Sequence, residues 1–417
     1  MRIFIFCCTV LFFVSGCSSS KGSKSAPKGN PLNAILKDAK LQTVLSQNDK
    51  YEVQIIYTQI NRDNNQVPSF TTWHWNVDST QYFYPASTVK MPLALLALEK
   101  INTMKASGYP RLNSETAYTL DSVRPFQHAY SEDVSAPNGQ PTIAQDVRAI
   151  FAVSDNDAYN HLFDFLGREY INTTLHGKGY ENTGIVHRFY AAQRDQKYAQ
   201  PIRFMDAKGN TILREKEKED KLIYVNPQKG LKKGKGYLNS KDSLVQGAFD
   251  FSAKNWFALT DMERMLRAAL FPDLVPPNQR FNISKEDYKM MHRAMGLFPR
   301  EFTHPKYETT DHWDGYVKFF VMGDTKVEQN GNIRLFNKVG EAYGTLTDVA
   351  YVVDYENKVE FVLAATILCN SDGIYNDDKY DYDNIGFPFL SELGKQVLEY
   401  ERKRVRAVVP DLSYWKL

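Results

Sequence analysis

The sequence predicts an α+β protein whose antiparallel sheet is completed by both ends of the chain. Segments with strand-like patterns lie near the two ends, at 51–60, 71–77, 332–339, 347–354 and 359–367. Segments with helical patterns lie mainly between them. Because a sheet must bury at least one face against other elements, we expect helices to flank it and the central helices to form a second, all-helical lobe.

The strand predictions depend on alternation and on turn residues. Val53, Ile55 and Tyr57 alternate along the first segment, and the polar stretch 61–65 is typical of a turn that leads into the second strand. The stretch 355–358 is a similar connection between the last two strands. These patterns favour antiparallel neighbours joined by short turns.

Helical spacing of apolar residues occurs in five segments, at 31–47, 88–104, 149–166, 259–270 and 390–402. The second of these is opened by Pro85 and is strongly apolar, which predicts that the helix is buried. In the fourth, Thr260 and Glu263 have the spacing of a capping box, which predicts that Thr260 begins the helix.

Composition excludes some classes of protein. The 417 residues are 43% hydrophobic and 24% charged, which supports a sizeable core and excludes a wholly disordered chain. Lys and Arg number 51 and Asp and Glu 49, so the formal charge is only +2. A nucleic-acid partner normally requires a strong basic excess, and we expect none here.

The first thirty residues resemble the export signal and linker of a bacterial lipoprotein. Arg2 precedes an apolar run at 3–14 that is too short to cross a bilayer of about 30 Å. The run ends in a Val-Ser-Gly-Cys box at Cys17, as in that class. The resemblance implies a signal peptide at 1–16, lipid on Cys17, a flexible tether at 17–30 and a bacterial envelope location, on the periplasmic side or the cell surface. An ordinary secretion signal cut nearby is the alternative.

No metal or organic cofactor is predicted for the remaining domain, 31–417. Its single cysteine, Cys369, follows an apolar run and is expected to be a small buried hydrophobic residue. The acidic stretch 377–383 lacks the glycine and final glutamate of a calcium loop, so we interpret it as a solvated loop. The eight histidines show no metal-ligand spacing.

A basic segment at about 195–247 interrupts the pattern of the domain. It carries ten Lys and two Arg against four Asp and three Glu, a net charge of +5. We expect an inserted, solvated surface excursion. Docking to an anionic envelope polymer is the alternative interpretation.

Ser87 and Lys90 form a Ser-x-x-Lys pair at the start of the apolar helix. Residues three apart share a helix face, so we expect the hydroxyl and the amine to meet. A serine becomes nucleophilic when a nearby group accepts its proton, and a lysine desolvated in a cleft can do so. The helix N-terminus adds N–H groups where an oxyanion would develop. The same spacing recurs elsewhere in the chain, so the pair alone is a weak signal.

Two further motifs strengthen this hypothesis. Ser154-Asp155-Asn156 occurs once and follows an apolar stretch, and Lys338-Val339-Gly340 lies in a strand that we expect at the edge of the sheet. In this order, the three motifs resemble the active site of class A β-lactamases and penicillin-binding proteins. The resemblance covers about 32–194 and 250–402, and it implies the β-lactamase/transpeptidase-like fold.

The resemblance also implies a role for each catalytic residue. Ser87 would be the acylated nucleophile and Lys90 its general base. Ser154 would relay a proton to the leaving nitrogen. Lys338 would face the substrate with its positive charge and help to keep Lys90 unprotonated.

Further residues would bind the substrate by the same resemblance. Asn156 would hold the substrate amide, and Gly340 and Glu341 would continue the third motif. The backbone N–H groups of Ser87 and Glu341 would form the oxyanion hole.

The chain departs from the family at two places. The third motif usually has a hydroxyl residue where this chain has Val339, which cannot donate a hydrogen bond to a substrate carboxylate. In addition, Tyr190 follows an Arg-Phe pair where class A enzymes place the glutamate that activates the deacylating water. A neutral phenol is a much poorer base than a carboxylate, so fast β-lactam hydrolysis is not implied.

These observations predict a serine hydrolase that acts on a β-lactam or related amide through a Ser87 acyl-enzyme. Its partner would be a small β-lactam or a peptidoglycan-like substrate. The alternatives are a cell-wall D,D-peptidase or slow-turnover penicillin-binding protein, and a non-catalytic envelope-binding protein of the same fold. The complete set of Ser87, Lys90, Ser154 and Lys338 favours an enzyme, since a binding protein has no chemical need for all four.

Overall fold

The computed structural model describes residues 29–190 and 196–417. The predicted signal peptide, the Cys17 lipidation site and nearly all of the tether lie outside the described residues. Within the described part of the chain, no helix is both long enough and apolar enough to span a membrane.

The central sheet has five antiparallel strands: β1 (Gln54–Arg62), β2 (Pro68–Trp75), β14 (Ile333–Ala342), β15 (Thr345–Asp354) and β16 (Val359–Leu368). Across the sheet they lie in the order β14-β15-β16-β1-β2. The first strand of the chain therefore pairs with the last long one, β16. This confirms a sheet completed by both chain ends, and it confirms that the third motif lies on an edge strand.

Helices surround the sheet and build the second lobe. They are α1 (Leu32–Ile35), α2 (Ala39–Leu45), α3 (Asn48–Tyr51), α4 (Lys90–Ala106), α5 (Ile143–Ala152), α6 (Asn156–Leu166), α7 (Arg168–Gly177), α8 (Leu259–Leu270), α9 (Lys285–Gly296) and α10 (Phe387–Lys403). A π-helical turn, Tyr382–Gly386, leads into α10. Short 3₁₀ turns lie at Ala86–Val89, Pro272–Leu274, Pro299–Glu301 and Ser413–Trp415.

Both faces of the sheet are buried. Along β15, Val349 and Tyr351 contribute to the core shared with α4, α5, α6, α8 and α9. The alternate residues Ala350 and Val352 pack into a second core with α1, α2 and α10. Burial on both faces explains why the C-terminal strands are almost continuously apolar. Cys369 is fully buried in the second core, as predicted.

Two predicted helices are interrupted. The segment 31–47 forms two short helices, α1 and α2, and Asp38 caps α2 by accepting hydrogen bonds from the backbone N–H groups of Lys40 and Leu41. The segment 149–166 spans the end of α5 and the whole of α6, with Val153, Ser154 and Asp155 between them. The second motif therefore lies at a helix break.

The capping box predicted at Thr260 is wrong. Helix α8 begins at Leu259, its N-cap residue is Ala258, and no side chain caps it. Glu263 instead accepts a hydrogen bond from the Thr58 hydroxyl at 2.7 Å and pairs with Arg267 at 2.8 Å. Burial against β1 gives this carboxylate partners other than the first turn of its own helix.

The other strands that the structure describes are short. They are β3 (Tyr118–Leu120), β4 (Thr183–Gly184), β5 (Tyr198–Ala199), β6 (Ile202–Met205), β7 (Thr211–Glu215), β8 (Lys218–Glu219), β9 (Lys232–Lys233), β10 (Gly236–Leu238), β11 (Leu244–Gln246), β12 (Phe249–Asp250), β13 (Trp256–Phe257) and β17 (Ile374–Tyr375).

The basic segment is more ordered than predicted, because it contains strands β5 to β11. Strand β6 pairs with β3 of the helical lobe, and its Ile202 and Phe204 are fully buried. Apolar residues between the charges thus attach the segment to the body.

Gly184 should be irreplaceable, because a Cβ atom there would lie 2.0 Å from the ring of Trp256 on the paired strand β13. Overpacking of this kind costs about 1–3 kcal/mol. We expect Gly184→Ala to lower the thermal midpoint of unfolding by several degrees. The matched control is Gly177→Ala at the end of α7, where a Cβ meets nothing within 4 Å. Equal midpoints for the two variants would contradict the prediction.

Candidate active site

Ser87 lies in the 3₁₀ turn immediately before α4. It is half-buried, whereas Lys90, the first residue of α4, is completely buried. The preceding residue, Ala86, has a φ of 46°, a left-handed conformation that is costly for a residue with a Cβ atom. The backbone is therefore strained directly beside the candidate nucleophile.

The amine of Lys90 points toward the junction between α5 and α6. It donates hydrogen bonds to the backbone carbonyl of Ser154, to Ser154 Oγ at 3.3 Å and to Asn156 Oδ1 at 2.7 Å. Within residues 29–190 and 196–417, the Ser87 hydroxyl has no hydrogen-bond partner. The expected direct contact between Ser87 and Lys90 is thus not made, since the buried amine finds its three acceptors in the second motif.

The second motif has the geometry of a helix break. Ser154 has a φ of 59°, again left-handed. Asp155 caps α6 by accepting a hydrogen bond from the Ala158 N–H at 2.8 Å. This turn holds both the carbonyl and the hydroxyl of Ser154 toward Lys90, and Asn156 follows as the first residue of α6.

Lys338 on β14 reaches the same serine. It is 2% exposed, and its amine donates to Ser154 Oγ at 2.8 Å and to the carbonyl of Val339 at 3.0 Å. Ser154 Oγ therefore lies between two buried amines. The structure brings together three motifs that are distant in sequence.

Burial lowers the pKa of both amines. The pKa of Lys90 falls to about 7, although the negative charges of Asp155 and Asp157 act in the opposite direction. Burial also lowers the pKa of Lys338 well below its usual value, with a further contribution from the positive charge of Lys90. A neutral amine keeps a lone pair, so Lys90 can accept a proton near neutral pH.

Gly340 allows β14 to pass close to the nucleophile turn. A Cβ atom at this position would lie 2.5 Å from the carbonyl oxygen of Pro85 and 3.2 Å from the backbone nitrogen of Ser87. Only glycine fits this approach without a backbone shift. The close contact places the Ser87 N–H beside the edge of the sheet.

The N–H of Glu341 points to the same edge. Strands β14 and β15 join through Tyr343 and Gly344, with φ values of 52° and 75°, and Ala342 pairs with Thr345. Such a two-residue turn makes that pair hydrogen-bonded, so the next pair, which contains Glu341, is not. The Glu341 N–H is therefore directed away from β15 and toward the Ser87 turn, as an oxyanion hole requires.

A cavity of about 650 Å³ opens beside these groups. Ser87, Ser154 and Asn156 line it on one side, and Val339 and Glu341 face it from β14. Glu341 remains exposed to the cavity, yet the surrounding walls and the charge of Asp383 raise its pKa to about 7. Val339 presents methyl groups where a hydroxyl could bind a substrate carboxylate.

The loop after α7 positions Phe189, not Tyr190, against Lys90. The Lys90 amine lies 5.0 Å from the centroid of the Phe189 ring. Asn160 of α6 holds the Phe189 backbone through two hydrogen bonds, of 3.0 and 3.1 Å. The side chain of Tyr190 is 93% exposed. Arg188 anchors the loop by its bidentate pair with Asp164.

Sequence reasoning missed a polar network behind β14. The completely buried Lys318 donates to Asn337 Oδ1 at 2.7 Å, and burial lowers its pKa to about 7. Asn337 in turn donates to Asp348 at 2.8 Å, and Asp348 accepts from the backbone N–H of Phe319 at 3.0 Å. The network ties 317–320 to the strand that carries Lys338. Lys318 and Asp348 are charged residues, and the pattern of neighbouring residues in the sequence does not predict that their side chains are buried.

The acidic stretch 377–383 is only partly the solvated loop that the sequence predicts. Asp378, Lys379 and Asp383 are exposed and the other four residues are half-buried, and Asp378, Tyr380, Tyr382 and Asp383 line the cavity. The closely spaced Tyr380 and Tyr382 were the sequence signal that could have indicated a cavity wall. Among the residues that the structure describes, no group of three His, Cys, Asp or Glu side chains could hold a metal ion.

Comparison with known proteins finds a similarity to one family over part of the chain. Residues 37–222 match the model of the beta-lactamase enzyme family. No curated protein matches the sequence.

Similar solved structures include two β-lactamases and one penicillin-binding protein. The β-lactamase of Sphaerobacter thermophilus DSM 20745 is 15% identical, with coverage of 88% of this chain and 96% of that chain and a TM-score of 0.47. The class A β-lactamase of Clostridium kluyveri DSM 555 is 14% identical, with coverage of 87% and 99% and a TM-score of 0.43. An acyl-enzyme complex of a PBP-A mutant with penicillin G is 16% identical, with coverage of 89% and 98% and a TM-score of 0.49.

The family match spans the first two motifs, and the fold brings the third motif to the same serine. Over residues 37–222 the chain is thus similar to the beta-lactamase enzyme family, and its third motif meets the first two at Ser154.

Proposed function

We propose that the protein is an acyl-transfer hydrolase in which Ser87 attacks a β-lactam or a related activated amide. The observation that carries this proposal is the meeting of Lys90 and Lys338 at Ser154, in the cavity that also exposes Ser87. Two buried amines beside a strained serine turn are costly to maintain for structure alone. Proton transfer is the chemistry that uses them.

The proposed first step transfers a proton from Ser87 to Lys90 as Ser87 Oγ bonds to the substrate carbonyl carbon. Neutral Lys90 keeps two N–H donors for the Ser154 carbonyl and Asn156, and its lone pair becomes available for the proton. Hydrogen bonds between nucleophile and base commonly tighten only when substrate binds, so their absence in the free protein is compatible with this role. The backbone N–H groups of Ser87 and Glu341 would hold the oxyanion.

Collapse of the tetrahedral intermediate would break the carbon–nitrogen bond and leave the acyl group on Ser87. Ser154 lies within hydrogen-bond distance of both amines, so it can pass a proton from them to the leaving nitrogen. Water would then cleave the ester and regenerate Ser87.

A slow-turnover penicillin-binding protein or D,D-peptidase is the second candidate, and the position of Phe189 favours it. A hydrocarbon ring lies against Lys90 where a carboxylate could activate water. Of the nearest acids, Asp155 is engaged as the cap of α6. We therefore propose that deacylation is the slow step.

We also propose that the protein acts in the bacterial envelope, held by lipid on Cys17. The apolar run and the Val-Ser-Gly-Cys box of the N-terminal sequence support this location. Cys17→Ser should release the protein from the membrane fraction. An unchanged membrane fraction would contradict lipid anchoring.

Ser87 should be the only residue that is acylated, because its hydroxyl lines the cavity beside the N–H groups of the proposed oxyanion hole, whereas Ser154 Oγ already accepts hydrogen bonds from Lys90 and Lys338. After incubation with a reporter β-lactam, peptide mapping should find the adduct on Ser87, and Ser87→Ala should remain unlabelled. A label on another serine, or equal labelling of Ser87→Ala, would refute the assignment.

Replacing Lys90 with Met should lower the acylation rate by about 10²–10⁴-fold, the usual effect of losing a positioned general base. The base is active when neutral, so the native acylation rate should rise with pH through about 7 and then level off. Stopped-flow acylation between pH 5.5 and 9 measures both effects.

Lys100→Met is the matched control for Lys90→Met. Lys100 lies on the same helix, is buried, and has a pKa that burial also lowers to about 7, but its amine binds Phe165 and Glu215. This variant should keep the rising pH profile. A rising profile in Lys90→Met would show that another group takes the proton.

The acyl-enzyme should accumulate, with a burst followed by a slow steady state. Intact-mass spectrometry over time should show an adduct that persists as long as substrate remains in excess. Phe189→Glu, which brings a carboxylate toward Lys90, should shorten the lifetime of the adduct. Tyr190→Glu adds the same charge at an exposed position and should change the lifetime less.

Two outcomes would correct this view. Rapid turnover by the native protein without a detectable adduct would mean that another group activates water. A larger effect from Tyr190→Glu than from Phe189→Glu would restore Tyr190 to the position of the family's deacylating glutamate.

A further inference from the structure

The cavity beside Ser87 is lined by three carboxylates, which we call the acidic wall: Glu341, Asp378 and Asp383. Glu341 comes from the end of β14, and the other two from the loop before α10. Within the described residues, none of the three has a hydrogen bond or an ion pair. The acidic wall therefore presents its negative charge to the substrate space without compensation from the protein.

Positive charge is scarce in the same space. Among the described residues that line the cavity, Lys326 is the only lysine. Its amine lies 4.3 Å from the centroid of the Trp313 ring. The amines of Lys90 and Lys338 are both directed to Ser154.

Strand β14 offers no donor for a substrate anion either. Side chains alternate along a strand, so Val339 and Glu341 face the cavity together. A carboxylate placed beside them would meet methyl groups and a second carboxylate. A substrate anion is therefore disfavoured on this side of the cavity.

Aromatic rings complete the surroundings of the acidic wall. Tyr380 and Tyr382 line the cavity with rings 5.3 Å apart, whereas the ring of Tyr343, which also lines it, already has the Lys254 amine 5.3 Å from its centroid. Ring faces attract cations, by about 0.5–2 kcal/mol for each contact depending on desolvation. Carboxylates combined with ring faces are the chemistry that recognises an ammonium group.

We propose that the substrate carries a cationic group, a primary or quaternary ammonium, in the part that extends past Glu341 toward Asp378 and Asp383. The inference rests on the proposed acyl transfer at Ser87 and adds the charge class of its substrate. Glu341, Asp378 and Asp383 are then the residues that determine specificity.

The pKa of Glu341 makes its charge sensitive to pH near neutrality and to any cation that binds beside it. The cavity walls and Asp383 raise its pKa to about 7, and the other titratable groups near it are Tyr316, Tyr382 and Cys369. A bound cation would lower this pKa and favour the charged carboxylate. Preference for a cation should therefore grow as pH rises through 7, because Glu341 is charged above its pKa.

The test uses thioesters that differ only in one terminal group: trimethylammonium, its neutral isostere tert-butyl, or carboxylate. One series carries this group on the acyl part and the other on the thiol part, so either orientation of the substrate is sampled. Acylation of Ser87 by intact mass gives the second-order rate for each. In one series the ammonium probe should react about tenfold or more faster than the tert-butyl probe.

Variants identify the source of the preference. The double variant Asp378→Asn/Asp383→Asn and the variant Glu341→Gln should each reduce the ratio of ammonium to tert-butyl rates. Asp377→Asn is the matched control, since Asp377 belongs to the same loop but accepts a hydrogen bond from the Lys379 N–H and does not line the cavity. Its ratio should stay at the native value. The ratio cancels the pH dependence of Lys90, which is common to all probes.

Equal rates for the ammonium and tert-butyl probes in both series, or a faster carboxylate probe, would overturn the inference. Failure of every probe in both series to acylate Ser87 would instead count against the proposed function. In that case, calorimetric binding of hexyltrimethylammonium and hexanoate to Ser87→Ala still decides the charge preference. Tighter binding of the ammonium supports the inference, and equal or weaker binding overturns it.

Discussion

The hydroxyl of Ser154 between two buried amines is the constraint on which the rest of the site depends. Lys90 comes from α4 and Lys338 from β14, and each donates to Ser154 Oγ. A pKa of about 7 for Lys90 makes its protonation about 5 kcal/mol less favourable than in water. Such amines persist only where acceptors surround them. The helix break at Ser154 and the side chain of Asn156 supply those acceptors.

The architecture of the sheet makes this meeting possible. Strand β14 is an edge strand, so its outer side is free to approach the turn that carries Ser87, and Gly340 permits that approach. Behind β14, Lys318 and Asn337 join the strand to the segment that forms another wall of the cavity. The nucleophile, the two amines and the cavity wall are thereby held by one continuous set of contacts.

The substrate space differs in charge from its catalytic end. Near Ser154 the groups are amines whose protonation is suppressed by burial, whereas the carboxylates of Glu341, Asp378 and Asp383 line the same cavity with no partner among the described residues. Val339 and Glu341 stand at the boundary on a single strand. Under the acyl transfer and the cationic substrate that we propose, this combination relates the departure at Val339 to specificity.

The sequence by itself determined the three motifs, the order of the strands along the chain and the burial of α4, because these depend on local spacing and apolar periodicity. Tertiary structure alone decided that the amine of Lys90 turns to Ser154, and that Phe189 lies against it while Tyr190 is exposed. It also decided that Asp378 shares a cavity with Ser87. The physical reason is that hydrogen-bond partners, desolvation and pKa values are set by groups far apart in the chain, which no local pattern records.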